Sequence, residues 1–205
     1  MNEELYLRYP SLKKCRGDIE AAVNEAVDCY RGGGKLLLCG NGGSSADCEH
    51  ITGELLKGFL SKRPIPCKKK AEMLERCPAL SGIIEKLQGG LPAIALPQLT
   101  ALNTAFCNDV DPELLYAQGV MGLGKPNDVL IAISTSGNAK NVCNAAKAAR
   151  GLGITVIALT GEGGGELYTL ADVCIRVPEH ETYKVQELHL PVYHYLSLRL
   201  EEELF

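Results

Sequence analysis

The sequence lacks a long apolar run, a Cys-x-x-Cys pair, an internal repeat and an excess of basic residues. Apolar runs such as residues 154–159 fall short of the ~18 residues that a membrane span needs, so we expect no membrane partner. Residues 1–4 are acidic and begin no apolar stretch, so we expect no signal peptide. The net charge of −4 argues against a nucleic-acid partner, because such proteins usually carry a basic excess.

The nine cysteines are scattered along the chain and odd in number. This pattern favours reduced, mostly buried thiols in a cytoplasmic protein over a disulfide framework. A chain of 205 residues can bury a core without such cross-links. Its hydrophobic share of 46% and charged share of 22% are typical of a globular protein, so disorder as the main state is excluded.

Short apolar runs alternate with segments of helical spacing, a pattern that predicts βαβ units and a parallel sheet. The expected strands lie at residues 35–40, 92–96, 128–134, 154–160 and 173–177. Before them, apolar residues recur every three or four positions and predict an N-terminal helix over about residues 10–31. A final helix is predicted from about residue 181 to 203, with a kink or break at Pro191.

Residues 65–91 differ from this pattern and are interpreted as an insertion in a single domain that spans residues 1–205. They follow a basic turn and show helical spacing over residues 71–88, which predicts one helix there. Residues 119–125 spell most of a phosphate-binding P-loop, but Pro126 stands where Ser or Thr should hold magnesium and no strand precedes them. We expect an ordinary loop at this place.

Two loops at predicted strand ends carry groups that suit a phosphate. The first has the sequence GNGGSS at residues 40–45, where glycines permit a close backbone approach and a following helix offers free amides. The second has the sequence STSGN at residues 134–138, with three hydroxyls before a helix. Each could also be a simple turn or capping cluster, but ligands in open α/β sheets bind at the carboxyl ends of strands.

Two groups of side chains could bind a metal or transfer protons. His50 and Glu54 lie four residues apart on a predicted helix and so share one face, although a surface hydrogen-bonded pair would look the same. Gln186, His189 and His194 lie on the last helix. Either histidine could instead be an ordinary core or interface residue.

In combination, these motifs resemble the sugar isomerase (SIS) domain family, and within it the phosphoheptose isomerases. The residues that carry the resemblance are Gly40–Ser44, Asp47, His50, Glu54, Asn108, Asp109, residues 133–138, residues 159–161, Gln186, His189 and His194. The resemblance covers nearly the whole chain except about residues 65–91.

The resemblance implies an α/β fold, a three-layer αβα sandwich of flavodoxin-like type with a five-stranded parallel sheet and an added N-terminal helix. It implies a homotetramer with active sites between subunits and a zinc ion held by His50, Glu54, Gln186 and His194. It also implies substrate contacts from Asn41, Gly42, Gly43, Ser44, Glu54, Asn108, Asp109, Ser134, Thr135, Ser136 and Gln186.

The activity implied is ketose–aldose interconversion of sedoheptulose 7-phosphate through an enediol, with Glu54 as the base and His194 as the acid. Such a reaction needs a base beside an acidic C–H and an acid at the carbonyl oxygen. Two other readings stay open: a non-catalytic SIS-domain binding protein of the replication-initiator-associating type, and a SIS enzyme for another sugar phosphate. The insertion, Ala139, Tyr183 and Gly58 depart from the usual isomerase pattern and keep the sugar itself undecided.

Overall fold

The computed structural model describes residues 2–205. Five parallel strands form a single sheet in the order β2-β1-β3-β4-β5. The strands are β1 (Leu36–Gly40), β2 (Ala93–Ala95), β3 (Val129–Ile133), β4 (Thr155–Thr160) and β5 (Val173–Arg176). The helices are α1 (Asn2–Arg8), α2 (Arg16–Arg31), α3 (Gly43–Leu56), α4 (Cys67–Arg76), α5 (Thr100–Asp109), α6 (Leu115–Leu123), α7 (Lys140–Gly151), α8 (Leu167–Leu170) and α9 (Thr182–Leu204).

The sheet separates two hydrophobic cores. Alternate residues of β1 point to opposite faces, so Leu36 and Leu38 join one core while Leu37 joins the other. Helices α2, α3 and α9 cover the first face, and α6, α7 and α8 cover the second. The predicted three-layer αβα sandwich with its five-stranded parallel sheet is therefore confirmed.

The N-terminal region contains more structure than the periodicity predicts. The expected helix over residues 10–31 is divided into a 3-10 helix, Pro10–Cys15, and the α-helix α2. Helix α1 precedes both and was not predicted. Its Tyr6 is fully buried in the first core, so the segment before residue 10 is part of the folded domain.

The insertion does not contain the single helix predicted for residues 71–88. Helix α4 begins earlier, at Cys67, and ends at Arg76, after which two short 3-10 helices follow, Pro78–Gly82 and Ile84–Lys86. Pro78 explains the early end, because proline disfavours the helical conformation of the residue before it. No residue of α4 is buried, so this helix adds nothing to either core.

Two further predictions are corrected by the structure. Helix α9 continues through Pro191, so of the two alternatives predicted there the break is wrong; Leu188 and Val192, on either side of the proline, pack into the first core. The P-loop-like residues 119–125 are not a plain loop, since their first five positions belong to α6. Within residues 2–205, no helix is both long and apolar enough to cross a membrane.

Candidate active site

The two predicted phosphate loops lie side by side. They leave β1 and β3, which are neighbours in the sheet, and Gly40 is paired with Ile133 at the carboxyl ends of these strands. The chain changes direction across the sheet between β1 and β3, and such switch points are where open α/β sheets bind ligands. The side-chain amides of Asn41 and Asn141 exchange two hydrogen bonds, of 2.8 and 3.0 Å, across the gap.

The first loop passes close to α9. Gly42 has φ of +55°, a conformation that favours glycine, and α3 begins at the next residue. A Cβ atom at Gly43 would lie 2.5 Å from Nε2 of Gln186. The absence of a side chain at position 43 is therefore what allows the predicted ligand Gln186 to approach the first loop.

The second loop is a tight turn whose hydroxyl groups differ in exposure. The backbone amide of Gly137 donates to the Ser134 carbonyl over 2.9 Å, and Gly137 has φ of +69°. Ser134 is buried, Thr135 is half-buried and Ser136 is exposed. The Ser136 hydroxyl accepts a hydrogen bond from the amide of Asn138 and can still donate its proton to a ligand.

His50 and Glu54 form the pair that their spacing predicts. On α3, Nε2 of His50 lies 3.4 Å from Oε1 of Glu54. The other Glu54 oxygen, Oε2, accepts a hydrogen bond of 2.6 Å from Nζ of Lys57. The carboxylate thus lies between an imidazole and an ammonium group.

His194 completes this group from α9. Its ring centroid lies 5.1 Å from that of His50 and 5.7 Å from that of Phe59. Because α3 and α9 cover the same face of the sheet, the chain brings Glu54, His50 and His194 together although the two histidines are 144 positions apart in the numbering. The predicted catalytic residues are therefore neighbours in one subunit.

Tyr193 holds His50 in place. Its hydroxyl lies 3.1 Å from Nδ1 of His50 and donates to Oδ1 of Asp47 over 3.2 Å. With Nδ1 engaged by the hydroxyl, Nε2 of His50 is left facing Glu54. Asp47 belongs to the motifs that carry the resemblance, and the structure gives it this supporting position.

The surroundings set the protonation states of the central groups. Burial acts to raise the pKa of Glu54, but the hydrogen bond and charge of Lys57 together with His50 outweigh it, so this pKa lies below its usual value. Burial and the neighbouring His50 lower the pKa of His194. At neutral pH the pair therefore consists of a carboxylate and a neutral imidazole, which are suited to accept and to pass on a proton.

The remaining predicted residues are placed differently. Asn108 and Asp109 are exposed at the end of α5, and the Asn108 amide donates to the Asp109 carboxylate over 2.8 Å. In the described part of the chain, no side-chain hydrogen bond or ion pair connects either residue to the other candidates. His189 is fully buried beside the Thr160 carbonyl and is a core residue, which is the alternative that the sequence left open for it.

The side chains suit a divalent ion in their chemistry. Imidazole nitrogens and carboxylate or amide oxygens are zinc ligands, and the 3.4 Å between His50 and Glu54 lets both reach one ion with bonds of ~2.0–2.2 Å. A partner on the second imidazole nitrogen, as Tyr193 provides, is usual for a metal-binding histidine. Among residues 2–205, however, no three His, Cys, Asp or Glu side chains are close enough to form a complete metal group.

The sequence analysis did not identify several residues around this site. Lys57 was identifiable, since it lies only three residues after Glu54 and directly follows α3. Tyr193, Phe59, Arg63 and Glu201 gave no local signal, because their contacts join segments that are more than 130 residues apart in the chain. These four residues are considered again below.

A separate cleft of about 620 Å³ is lined by residues 98–102 and by Gln118, Gly119, Gly122 and Leu123. None of the predicted site residues lines this cleft. Its walls offer no charged side chain to orient a ligand or to transfer protons. We therefore assign the chemistry to the smaller group at α3 and α9.

Comparison with known proteins agrees with this geometry. A family profile described as SIS domain matches residues 100–198, and a second profile, also described as SIS domain, matches residues 11–89. The chain is 34% identical to a phosphoheptose isomerase of Akkermansia muciniphila, over 96% of this chain and 91% of that protein. It is 39% identical to one of a Roseiflexus species, over 91% of this chain and 82% of that protein.

A solved structure shows the same likeness. The phosphoheptose isomerase from Francisella tularensis superimposes with a TM-score of 0.76 and 30% sequence identity. The match covers 98% of this chain and 97% of that one. The similarity therefore extends over the sheet, both helical layers and the elements that carry the candidate site.

Proposed function

The chain belongs to the SIS domain family, in which its relatives are phosphoheptose isomerases, and on this premise we propose that it is itself a phosphoheptose isomerase. It interconverts sedoheptulose 7-phosphate and D-glycero-D-manno-heptose 7-phosphate. The observation that carries the proposal is the meeting of Glu54, His50 and His194 where α3 and α9 lie together on the first face of the sheet. A non-catalytic binding protein would not need these three side chains together.

In this reaction a proton moves between C1 and C2 of the sugar through an enediol. Glu54 is ionised and takes the proton from the carbon beside the carbonyl group. His194 is neutral and has one N–H to donate and one nitrogen to accept, so it exchanges a proton with the sugar oxygens. Lys57 donates a hydrogen bond to one oxygen of Glu54 and His50 lies beside the other, and these two neighbours restrict the direction of the carboxylate.

The phosphate group binds at a distance from the reacting carbons. The hydroxyls of Ser134, Thr135 and Ser136 and the glycine-rich loop at residues 40–45 offer donors to its oxygens. Fixing this end of an open-chain sugar places C1 and C2 near Glu54 and His194. Positioning of this kind accounts for a large part of the barrier reduction in many enzymes.

We include a zinc ion in the proposal, held by His50, Glu54, Gln186 and His194. When bound, it would polarise the carbonyl and orient the sugar oxygens. Metal content of the purified wild-type protein, measured by mass spectrometry after equilibration with zinc, tests this part. We expect about one ion per chain, falling strongly in His50→Asn but not in His180→Asn, whose histidine is exposed and pairs with Glu162 instead of the proposed ligands. Equal metal content in all three proteins would contradict it.

Turnover of the sugar phosphate is the direct test of the function. We expect Glu54→Gln to reduce kcat by at least about 10³-fold, because the amide cannot accept the proton from carbon. Glu49→Gln is the matched control, since Glu49 is exposed on the same helix and its carboxylate makes no hydrogen bond or ion pair with the described site residues. Conversion followed by NMR, with folding verified by circular dichroism, gives both results. An unchanged rate in Glu54→Gln would end this mechanism.

The insertion favours a second candidate, a SIS isomerase for a different sugar phosphate. The segment that leads into it, residues 57–63, contacts both Glu54 and His194 through Lys57 and Phe59. Its shape therefore influences which sugar fits. A panel of five-, six- and seven-carbon ketose phosphates separates the candidates, since only the first proposal expects the seven-carbon substrate to give the highest kcat/KM.

We extend the proposal to the assembly and its location. A homotetramer would cover α5, which has no buried residue in the single chain. It would also bring exposed Asn108 and Asp109 to the site of another subunit. All nine cysteines are free thiols, and six of them are buried. This supports a location in the cytoplasm, where thiols are kept reduced.

A further inference from the structure

A buried carboxylate on α9 holds the segment that follows α3. Glu201 is nearly inaccessible to solvent and accepts hydrogen bonds from the backbone amides of Phe59, Leu60 and Ser61, at 2.8, 2.8 and 2.7 Å. It also accepts a fourth from Nε of Arg63 at 2.6 Å. Burying a charge is costly unless it is paired and hydrogen-bonded, and these four donors meet that need.

The other arm of Arg63 reaches α3. This guanidinium is fully buried, and its Nη1 donates to the Leu55 carbonyl over 2.7 Å, while Nη2 lies 3.4 Å from the Glu54 carbonyl. Both carbonyls belong to the last turn of α3, where no intrahelical donor is available. One planar side chain therefore joins the end of the helix that carries His50 and Glu54 to the helix that carries His194.

Two local features show that the segment is held under constraint. Arg63 has φ of +44°, an uncommon conformation for a residue other than glycine, which persists where the surroundings enforce it. Phe59, whose amide is bound by Glu201, has its ring centroid 5.7 Å from that of His194. The clamp formed by Arg63 and Glu201 is thus in contact with the candidate site on both helices.

We propose that Arg63 and Glu201 are positioning residues of the active site, which fix the distance between Glu54 on α3 and His194 on α9 and hold Phe59 against the His194 ring. The inference rests on the proposed function for its kinetic consequence. Neither residue touches the reacting atoms. They act on the geometry of the site, so replacing either residue should lower kcat more than it changes KM.

The test uses substitutions that keep as much of the clamp as possible. Arg63→Lys retains the buried charge but loses the planar fork, so it cannot bind Glu201 and the Leu55 carbonyl together. Glu201→Gln removes the charge with little change of shape. The matched controls are Lys62→Met and Glu203→Gln, which are neighbouring residues outside the clamp.

The structural measurement is independent of turnover. The chain has four histidines, and side-chain ¹H–¹⁵N NMR observes each of them. We expect the His50 and His194 signals to move in Arg63→Lys and Glu201→Gln, whereas those of His180 and His189, which lie against Glu162 and Thr160, stay in place. In the same variants kcat falls by about 10- to 100-fold with KM within about threefold, and both controls match the wild type.

The outcomes separate the two proposals. Folded Arg63→Lys and Glu201→Gln proteins with unmoved His50 and His194 signals, or with wild-type kcat, would overturn the positioning role. If both single variants fail to fold, Glu201→Asp is the second variant, because it keeps the charge and the acceptor oxygens but withdraws them from the amides of residues 59–61 and from Arg63. It must show the same signal changes, or the inference is wrong. A wild-type protein without isomerase activity refutes the proposed function only, because the histidine signals still decide the positioning role.

Discussion

The two histidines of α9, His189 and His194, show how strongly the environment of a residue determines its use. His194 faces a half-buried space with three other rings and a carboxylate nearby, whereas His189 is fully buried. Five residues separate them on one helix, so they project in different directions. Their spacing gave the two histidines equal standing and the family resemblance selected His194, while the packing of α9 against the sheet provides the physical reason for the difference.

His189 predicts a pH dependence of stability. Burial lowers the pKa of His189 from about 6.5 to about 4. Between these two pH values the side chain is protonated in the unfolded state but not in the folded state. Stability is therefore lost as the pH falls from about 6.5 to about 4, by on the order of 3 kcal/mol. Urea unfolding of wild type and His189→Asn across this range measures it.

The variant should show a shallower decline than the wild type, because the group responsible is gone. His180→Asn is the control, since His180 is exposed and its replacement should leave the slope unchanged. Parallel curves for wild type and His189→Asn would show that His189 is charged in the folded protein.

At the scale of elements, α3 contains two glycines with opposite surroundings. Gly43 faces Gln186 so closely that a Cβ atom would lie 2.5 Å from the amide, whereas a Cβ at Gly53 would meet nothing within 4 Å. Both positions are helical, where alanine is favoured over glycine by about 1 kcal/mol. The contrast tests whether the contact between α3 and α9 matters for function.

We expect Gly53→Ala to raise the free energy of unfolding by up to about 1 kcal/mol and to leave kcat unchanged. Gly43→Ala should instead displace Gln186 and lower kcat/KM by about tenfold or more, since small displacements of positioning groups have large kinetic effects. Denaturant unfolding and steady-state kinetics on both variants provide the comparison. Full activity in Gly43→Ala would mean that Gln186 is not needed at its present place.

The elements also show where sequence reasoning succeeds and where it fails. All five strands were predicted within two residues at each end, because buried parallel strands are apolar on both faces and stand out in the sequence. The helix in the insertion was misplaced because its apolar residues pack against no core, so their spacing carries no information about burial. Helix α1 was missed, and α5, α6 and α8, which lie where only helical spacing between strands was noted without bounds, are short or only partly buried.

At the scale of the molecule, the site depends on contacts that no local pattern contains. The spacing of His50 and Glu54 was readable, and the two loops could be expected at one edge of the sheet. The clamp of Arg63 and Glu201 could not be predicted from the sequence, because it links residues 138 positions apart through a buried charge. The resemblance to a family supplied His194 and Gln186, and the helical layer explains why they meet α3.

The single chain also exposes an apolar surface on α5 and α6 that a protein partner could cover. Helix α5 has no buried residue although it contains Leu102 and Phe106, and Met121 on the adjoining α6 is 55% exposed. The 620 Å³ cleft lies between these helices. A second copy of the chain that packs here would bury this surface, as the proposed tetramer requires.

We therefore expect a mass of four times 22.0 kDa in size-exclusion chromatography with light scattering. Met121→Glu should shift the mass toward smaller species, because a charge buried at a contact without a partner is strongly unfavourable. Ile83→Glu is the matched control, since Ile83 is similarly exposed, at 52%, but lies on the insertion. Loss of activity together with loss of the tetramer in Met121→Glu would indicate that each site needs a neighbouring subunit, whereas a monomeric wild type with full activity would show that one chain is sufficient.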